Sequence, residues 1–148
     1  MGTRSLTFVY EGDKPFLNMY RQFDGYREGH GRDLAQFLEG LIVVNGYSLD
    51  DNRRMANGMG CLAAQLVAKF KVGCGGVYLY PVDETDCWQD YEYHIFENTV
   101  HVLGYDETVF NGTWEKFIEW ARAPLDINSR RVGSINSLAI TEPQAFGS

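Results

Sequence analysis

Between residues 76 and 110 the chain offers four short runs of β-branched and aromatic residues, divided by turn residues. They are Gly76 to Tyr80, Asp90 to Glu97, Thr99 to Leu103 and Glu107 to Phe110. Glu97-Asn98-Thr99 is short enough for a hairpin connection, so the later runs predict an antiparallel meander. Upstream, Arg4 to Tyr10 and Pro15 to Arg21 flank the turn residues Glu11-Gly12-Asp13-Lys14 and predict an N-terminal β-hairpin.

Helical spacing fills the stretches between and after these strands. Leu34, Phe37, Leu38, Leu41 and Ile42 repeat at helical intervals and predict a helix over 32–43, ended by Asn45-Gly46. Residues 47–56 are polar and expected to be irregular. Met59, Leu62, Ala63, Leu66, Val67 and Phe70 predict a second helix over 58–71, stopped by Gly73. Asn111-Gly112-Thr113 reads as a turn into a third helix. Thr113 is its cap, Trp114, Phe117, Ile118 and Ala121 share its buried face with Phe110, and Pro124 marks its end. Strands clustered apart from helices give an α+β class: N-terminal β-hairpin, two helices, antiparallel β-meander, C-terminal helix and extended tail. Residues 1–127 are expected to form a single α+β domain. From Asn128 the composition shifts to Ser, Asn, Gly and Ala, so 128–148 are expected to be a flexible or subunit-docking tail, the latter in a homo-oligomer.

A chain of 148 residues buries roughly 68–70% of its unfolded surface, so a core forms without disulfide or metal. The net charge of −7 disfavours bulk DNA or RNA as a partner, because such binding rests on Lys and Arg displacing counterions. It leaves room for a phosphorylated small molecule, since Arg4, Lys14, Arg21, Arg27 and Arg32 fall in the first 32 residues against four acids. Cys61, Cys74 and Cys87, odd in number and widely spaced, suit reduced thiols. Residues 1–20 lack an apolar signal region, and no apolar run is long enough for a bilayer, so a cytoplasmic location away from membranes is expected.

The most chemically loaded stretch is Asp24 to Asp33. A glycine-rich loop that opens a helix offers backbone N–H groups and the positive end of the helix dipole to an anion. Arg27, His30 and Arg32 add charge-assisted donors, and Gly29 and Gly31 allow close backbone approach. The plainer alternative is an ordinary strand-to-helix turn. The spacing matches neither the phosphate-binding P-loop nor the dinucleotide fingerprint.

Three further stretches carry reactive groups. Alternation puts Asp90, Glu92 and His94 on one strand face, a row suited to acid–base work or a metal, or simply to solvent. No metal and no cofactor is assigned. Cys74 sits among glycines with no basic neighbour to lower its pKa. Thr3 opens a strand, as does the nucleophile of N-terminal-nucleophile hydrolases, and Arg21 and Asp24 are similar in spacing to an Arg–Asp pair in the bile-salt-hydrolase branch of those enzymes. Release of Thr3 would need a cut beyond removal of Met1.

The opening Gly2-Thr3-Arg4-Ser5-Leu6-Thr7, then Tyr20-Arg21-Gln22-Phe23-Asp24-Gly25-Tyr26 and Gly29-His30-Gly31, resembles a group of small phage, prophage and bacterial proteins. That group begins with GTR-x-LT and carries Y-x-Q-[WF]-DGYP-x-G-[HQ]-G. The likeness covers about the first 40 residues, with Arg27 where the pattern commonly has Pro. It implies a phage anti-defence setting, in which small proteins sequester or cleave immune nucleotide messengers. The expected function is binding of a phosphorylated, nucleotide-like ligand. Arg4, Arg27, Arg32 and the 29–31 backbone would take phosphates, Tyr26 would stack on a base, and Gln22 or Asp24 would fix a polar edge. The rivals are a hydrolase, either a phosphodiesterase on such messengers or an amide hydrolase using Thr3, and a protein-interaction inhibitor of a host enzyme.

Overall fold

A computed structural model describes residues 2–124. The expected boundary at 127 and the tail from Asn128 lie outside the described residues.

The chain opens with a hairpin of β1 (Ser5–Glu11) and β2 (Lys14–Arg21). A π-helical turn, Arg27–Gly31, runs straight into α1 (Arg32–Leu38). Two short strands follow, β3 (Ile42–Val44) and β4 (Met55–Asn57), then α2 (Gly58–Phe70) and β5 (Val77–Leu79). The meander β6 (Tyr91–Ile95), β7 (Thr99–Gly104) and β8 (Glu107–Thr113) leads into α3 (Trp114–Arg122). The main sheet has the order β5-β2-β1-β6-β7-β8. Its pairs are antiparallel except β1 with β6, which run parallel at the centre.

β1 explains the layering. Five successive residues, Ser5 to Val9, are buried, as expected of a strand covered on both faces. Val9 joins a core with Met19, Tyr93, Ile95, Val100 and Val102 beneath the buried stripes of the helices: Leu34 and Leu38, Leu62 and Leu66, Phe117 and Ala121. Leu6 and Phe8 face the other way and form a second, smaller cluster with Tyr20, Tyr10 and Cys87. Part of that side lies under the segment after β5, where Asn18 Nδ2 donates to the carbonyls of Pro81 and Glu84.

The α+β architecture is as the strand and helix patterns predict, with local differences. The first helix ends at Leu38 rather than near residue 43. Gly40 takes a φ of 75°, and the β-branched Ile42-Val43-Val44 run pairs in parallel with β4, whose Met55 and Ala56 end the stretch expected to be irregular. Leu41 stays buried without being helical. β5 does not join the meander but pairs with β2 at the opposite edge. Asn111-Gly112-Thr113 continues β8 rather than turning. Thr113 is nevertheless the cap of α3, its hydroxyl accepting the Lys116 N–H at 3.2 Å.

The sealed centre of α2 sets a first expectation. Leu66 is wholly buried, so Leu66→Ala should lower the unfolding free energy by about 2–5 kcal/mol in urea denaturation. A loss under about 1 kcal/mol would mean that the site collapses around the smaller side chain or that α2 does not pack as described.

Candidate functional site

The loop Asp24 to Asp33 is closed by the chain's own carbonyls. Asp24 adopts a φ of 62°, and its carbonyl accepts the His30 N–H at 2.6 Å. The Gly29 and Gly31 N–H groups donate to the Tyr26 carbonyl at 3.1 and 3.3 Å. Gly29 is required there, because a Cβ would run into the Asp24 carbonyl.

Its arginines serve α3. Arg27 Nη1 donates to the Trp120 carbonyl at 2.6 Å and the Ala123 carbonyl at 2.9 Å, and Nη2 pairs with Glu28. Arg32 donates to the Ala121 and Ala123 carbonyls at 2.9 and 3.1 Å. Two guanidiniums thus satisfy carbonyls that the end of a helix leaves open, where positive charge also meets the negative end of the helix dipole. Asp24 and Tyr26 stay exposed, their side chains 3.4 Å apart.

His30 lies inside the protein with no exposed surface. Arg21 Nη1 approaches its Nδ1 at 3.0 Å, and since arginine only donates, Nδ1 is the acceptor. Nε2 therefore carries the proton and donates to Thr7 Oγ1 at 2.6 Å. Arg21 also binds Asp33 at 2.9 Å, so its carboxylate partner is Asp33 and not the Asp24 of the hydrolase comparison. Phe70 and Tyr93 set their rings edge-on to the imidazole. Burial, helped by the Arg21 charge, holds His30 well below the usual histidine range.

The other predicted residues, Arg4 and Gln22, meet on the far side of the sheet. Arg4 lies beside the Tyr20 hydroxyl, whose pKa burial raises against the pull of that guanidinium. Tyr20 donates to Gln22 Oε1 at 2.7 Å. Its ring meets Tyr80 edge-on at 5.5 Å and Tyr78 at 6.0 Å. Both of these tyrosines are exposed on or beside the edge strand β5, and Lys71 Nζ stands 5.5 Å from the Tyr78 ring. Among the described residues Arg4 makes no ion pair with a carboxylate. Its backbone N–H donates to Asp90 Oδ2 at 3.2 Å.

Glu92 and His94 share this side, as alternation predicts, but Asp90 is drawn off to the Arg4 backbone. His94 touches Glu92 at 3.0 Å and Tyr10 at 2.6 Å, and pairs across the strands with His101. Among the described residues no group of three His, Cys, Asp or Glu side chains is arranged to hold a metal ion. The Cys87 thiol is pushed up by burial and by Glu84 and Asp86, which disfavours a thiolate. Thr3 spends its carbonyl on the Gly25 N–H at 2.9 Å.

The tyrosines around Arg4 were not singled out by sequence, because which residues face each other depends on register. The one available signal was the alternation of Leu6, Phe8 and Tyr10 with Asn18 and Tyr20. No protein-family model, curated protein or solved structure matches the chain. Among the described residues no helix is long and apolar enough to cross a membrane.

The buried imidazole makes stability depend on pH. Folded His30 stays neutral where an unfolded histidine, with a pKa near 6.5, takes a proton. The unfolded chain therefore binds more protons as pH falls, and this contribution, complete above about 6.5, is lost below it. Urea midpoints should drop between about pH 6.5 and 5, above the range where carboxylates titrate, and His30→Gln should flatten most of that slope. An unchanged slope in the variant would contradict the assignment.

Proposed function

We propose that this protein binds a phosphorylated, nucleotide-like small molecule on the side of the sheet away from the helices, around Arg4. The observation that carries this reading is an arginine, without a carboxylate partner among the described residues, set beside a cluster of three tyrosines. Aromatic faces stack on nucleobases whatever their identity, and a guanidinium matches a phosphate with two parallel donors. Tyr78 and Tyr80 supply exposed faces, while Gln22, held by Tyr20, offers its amide N–H groups to a base edge. Lys71, whose ammonium donates to the Gly75 and Val77 carbonyls at 3.1 and 2.8 Å, keeps a positive charge beside Tyr78.

The same surroundings limit the charge of the ligand. Glu84, Asp86 and Asp90 lie in the segment between β5 and β6, close to Cys87 and the Arg4 backbone. A nucleoside monophosphate or a cyclic diester suits that field better than a triphosphate, whose further charges would be repelled. The resemblance of the first 40 residues to small phage and prophage proteins supports sequestration of an immune nucleotide messenger as the purpose of such binding. Arg27 and Arg32 belong, in this reading, to the support of α3.

Calorimetric titration with nucleoside monophosphates and cyclic dinucleotides tests the assignment. Arg4→Met should weaken binding by roughly 10- to 100-fold, through loss of its charge-assisted donors to the phosphate. Arg32→Met should lower stability and leave affinity near that of the parent. Equal affinity in Arg4→Met and parent would remove Arg4 from the site.

A further inference from the structure

Four side chains on the open side of the sheet are joined end to end. Tyr10 Oη lies 2.6 Å from His94 Nδ1, His94 Nε2 lies 3.0 Å from Glu92 Oε1, and Gln89 Nε2 donates to Glu92 Oε2 at 2.9 Å. The Glu92 carboxyl is held below its usual range, first by the hydrogen bond from His94, so it is ionised and only accepts. In the neutral imidazole Nε2 therefore carries the proton, and Nδ1 turns its lone pair to the Tyr10 hydroxyl. Carboxylate, imidazole and hydroxyl stand in the order that lets the imidazole take a hydroxyl proton, with the carboxylate fixing the tautomer of the base. Burial, and after it the Glu92 charge, raise the Tyr10 hydroxyl above its usual range, so it keeps its proton until His94 accepts it.

Packing holds this order in place. The Phe8 ring lies 4.8 Å from the His94 ring and within 5° of parallel, which fixes the plane of the imidazole. Tyr10 stacks on Phe96 at 4.2 Å. The chain of groups is nevertheless reachable from solvent: the His94 and Glu92 side chains keep 14% and 18% of their surface exposed. Tyr10, Glu92 and His94 sit on two parallel neighbours, β1 and β6, at the centre of the sheet, where rigid strands position side chains better than loops do.

We propose that Tyr10, His94 and Glu92 form an acyl-transfer site, with the Tyr10 hydroxyl as nucleophile and an uncharged carboxylic ester as the class of substrate. The surroundings select that class. The ionised Glu92 repels anions, and among the described residues no lysine or arginine hydrogen-bonds any of the four groups. A phosphodiester would meet the Glu92 charge with no lysine or arginine hydrogen-bonded to these groups, whereas a neutral carbonyl meets no such penalty.

The steps balance without a further reactant besides water. Tyr10 Oη bonds to the carbonyl carbon, its proton passes to His94 Nδ1, and the ester C–O bond breaks with its electron pair leaving on the alcohol oxygen. That oxygen takes the proton from Nδ1. Glu92 stabilises the imidazolium that exists between the two transfers. Water then attacks the acyl-tyrosine. Its oxygen bonds to the carbonyl carbon as its proton passes to Nδ1, the bond from that carbon to Tyr10 Oη breaks with its electron pair leaving on Oη, Oη takes the proton from Nδ1, and the carboxylic acid is released. None of these residues belongs to the site around Arg4, so the two assignments stand or fall separately.

Reaction with p-nitrophenyl acetate tests the proposal, with the exposed Cys74 first blocked as a mixed disulfide. Peptide mass spectrometry should find the acetyl group on Tyr10 ahead of Tyr47 and Tyr105, although these are 60% and 63% exposed. Glu92→Gln should slow acetylation of Tyr10 roughly 100-fold. Tyr10→Phe keeps the ring against Phe96 and should abolish nitrophenolate release from this site. Acetylation of Tyr10 no faster than of Tyr47 would overturn the proposal. So would an unchanged rate in a Glu92→Gln protein whose circular dichroism matches the parent.

Discussion

The pairing of β1 with β6, parallel and central, is the constraint on which the rest of the structure depends. It seats β1 at the centre of the sheet, between the helical core and the second cluster, so every residue from Ser5 to Val9 is committed to one layer or the other. Val9 supports the helical core, and Thr7 supplies the hydroxyl that holds His30. Leu6, Phe8 and Tyr10 build the opposite side, which carries the proposed chemistry. A slip of one residue would exchange the two sets and place Thr7 and Val9 against solvent-facing groups.

Polar contacts join the hairpin to the helices. Arg21 bridges His30 and Asp33 across the start of α1, while Arg27 and Arg32 take the last carbonyls of α3. The segment from Arg21 to Asp33 thereby ties β2, α1 and α3 together. Burying His30 is tolerable only because both ring nitrogens find a partner; leaving one of them unpaired would cost about 1–3 kcal/mol. This is why the glycine-rich loop packs as a joint: its N–H groups meet the carbonyls of Asp24 and Tyr26.

Much of the fold was legible in the sequence. Apolar spacing located α2 and α3, turn residues located the hairpin, and Thr113 announced the cap of α3. The end of α1 was not legible, because Leu41 and Ile42 continue the helical stripe and only Gly40, at positive φ, breaks it. The site was legible in part. Alternation brought Glu92 and His94 to one side, but the Tyr10 contact depends on a parallel register that no local pattern encodes. Arg27 and Arg32 carried the charge expected of an anion site. Their partners, carbonyls 89 to 96 positions away, leave no trace in composition.

Two regions of one sheet side thus carry the proposed chemistry: tyrosines around Arg4 at the β5 edge, and the Tyr10–His94–Glu92 chain at the centre. The separation lets ligand capture be examined on its own. Native mass spectrometry of the protein purified from bacterial lysate, followed by heat release, is the most direct measurement. The account predicts a bound phosphorylated compound with nucleobase absorbance, released intact. A protein that emerges empty and takes up no member of a nucleotide panel would contradict it.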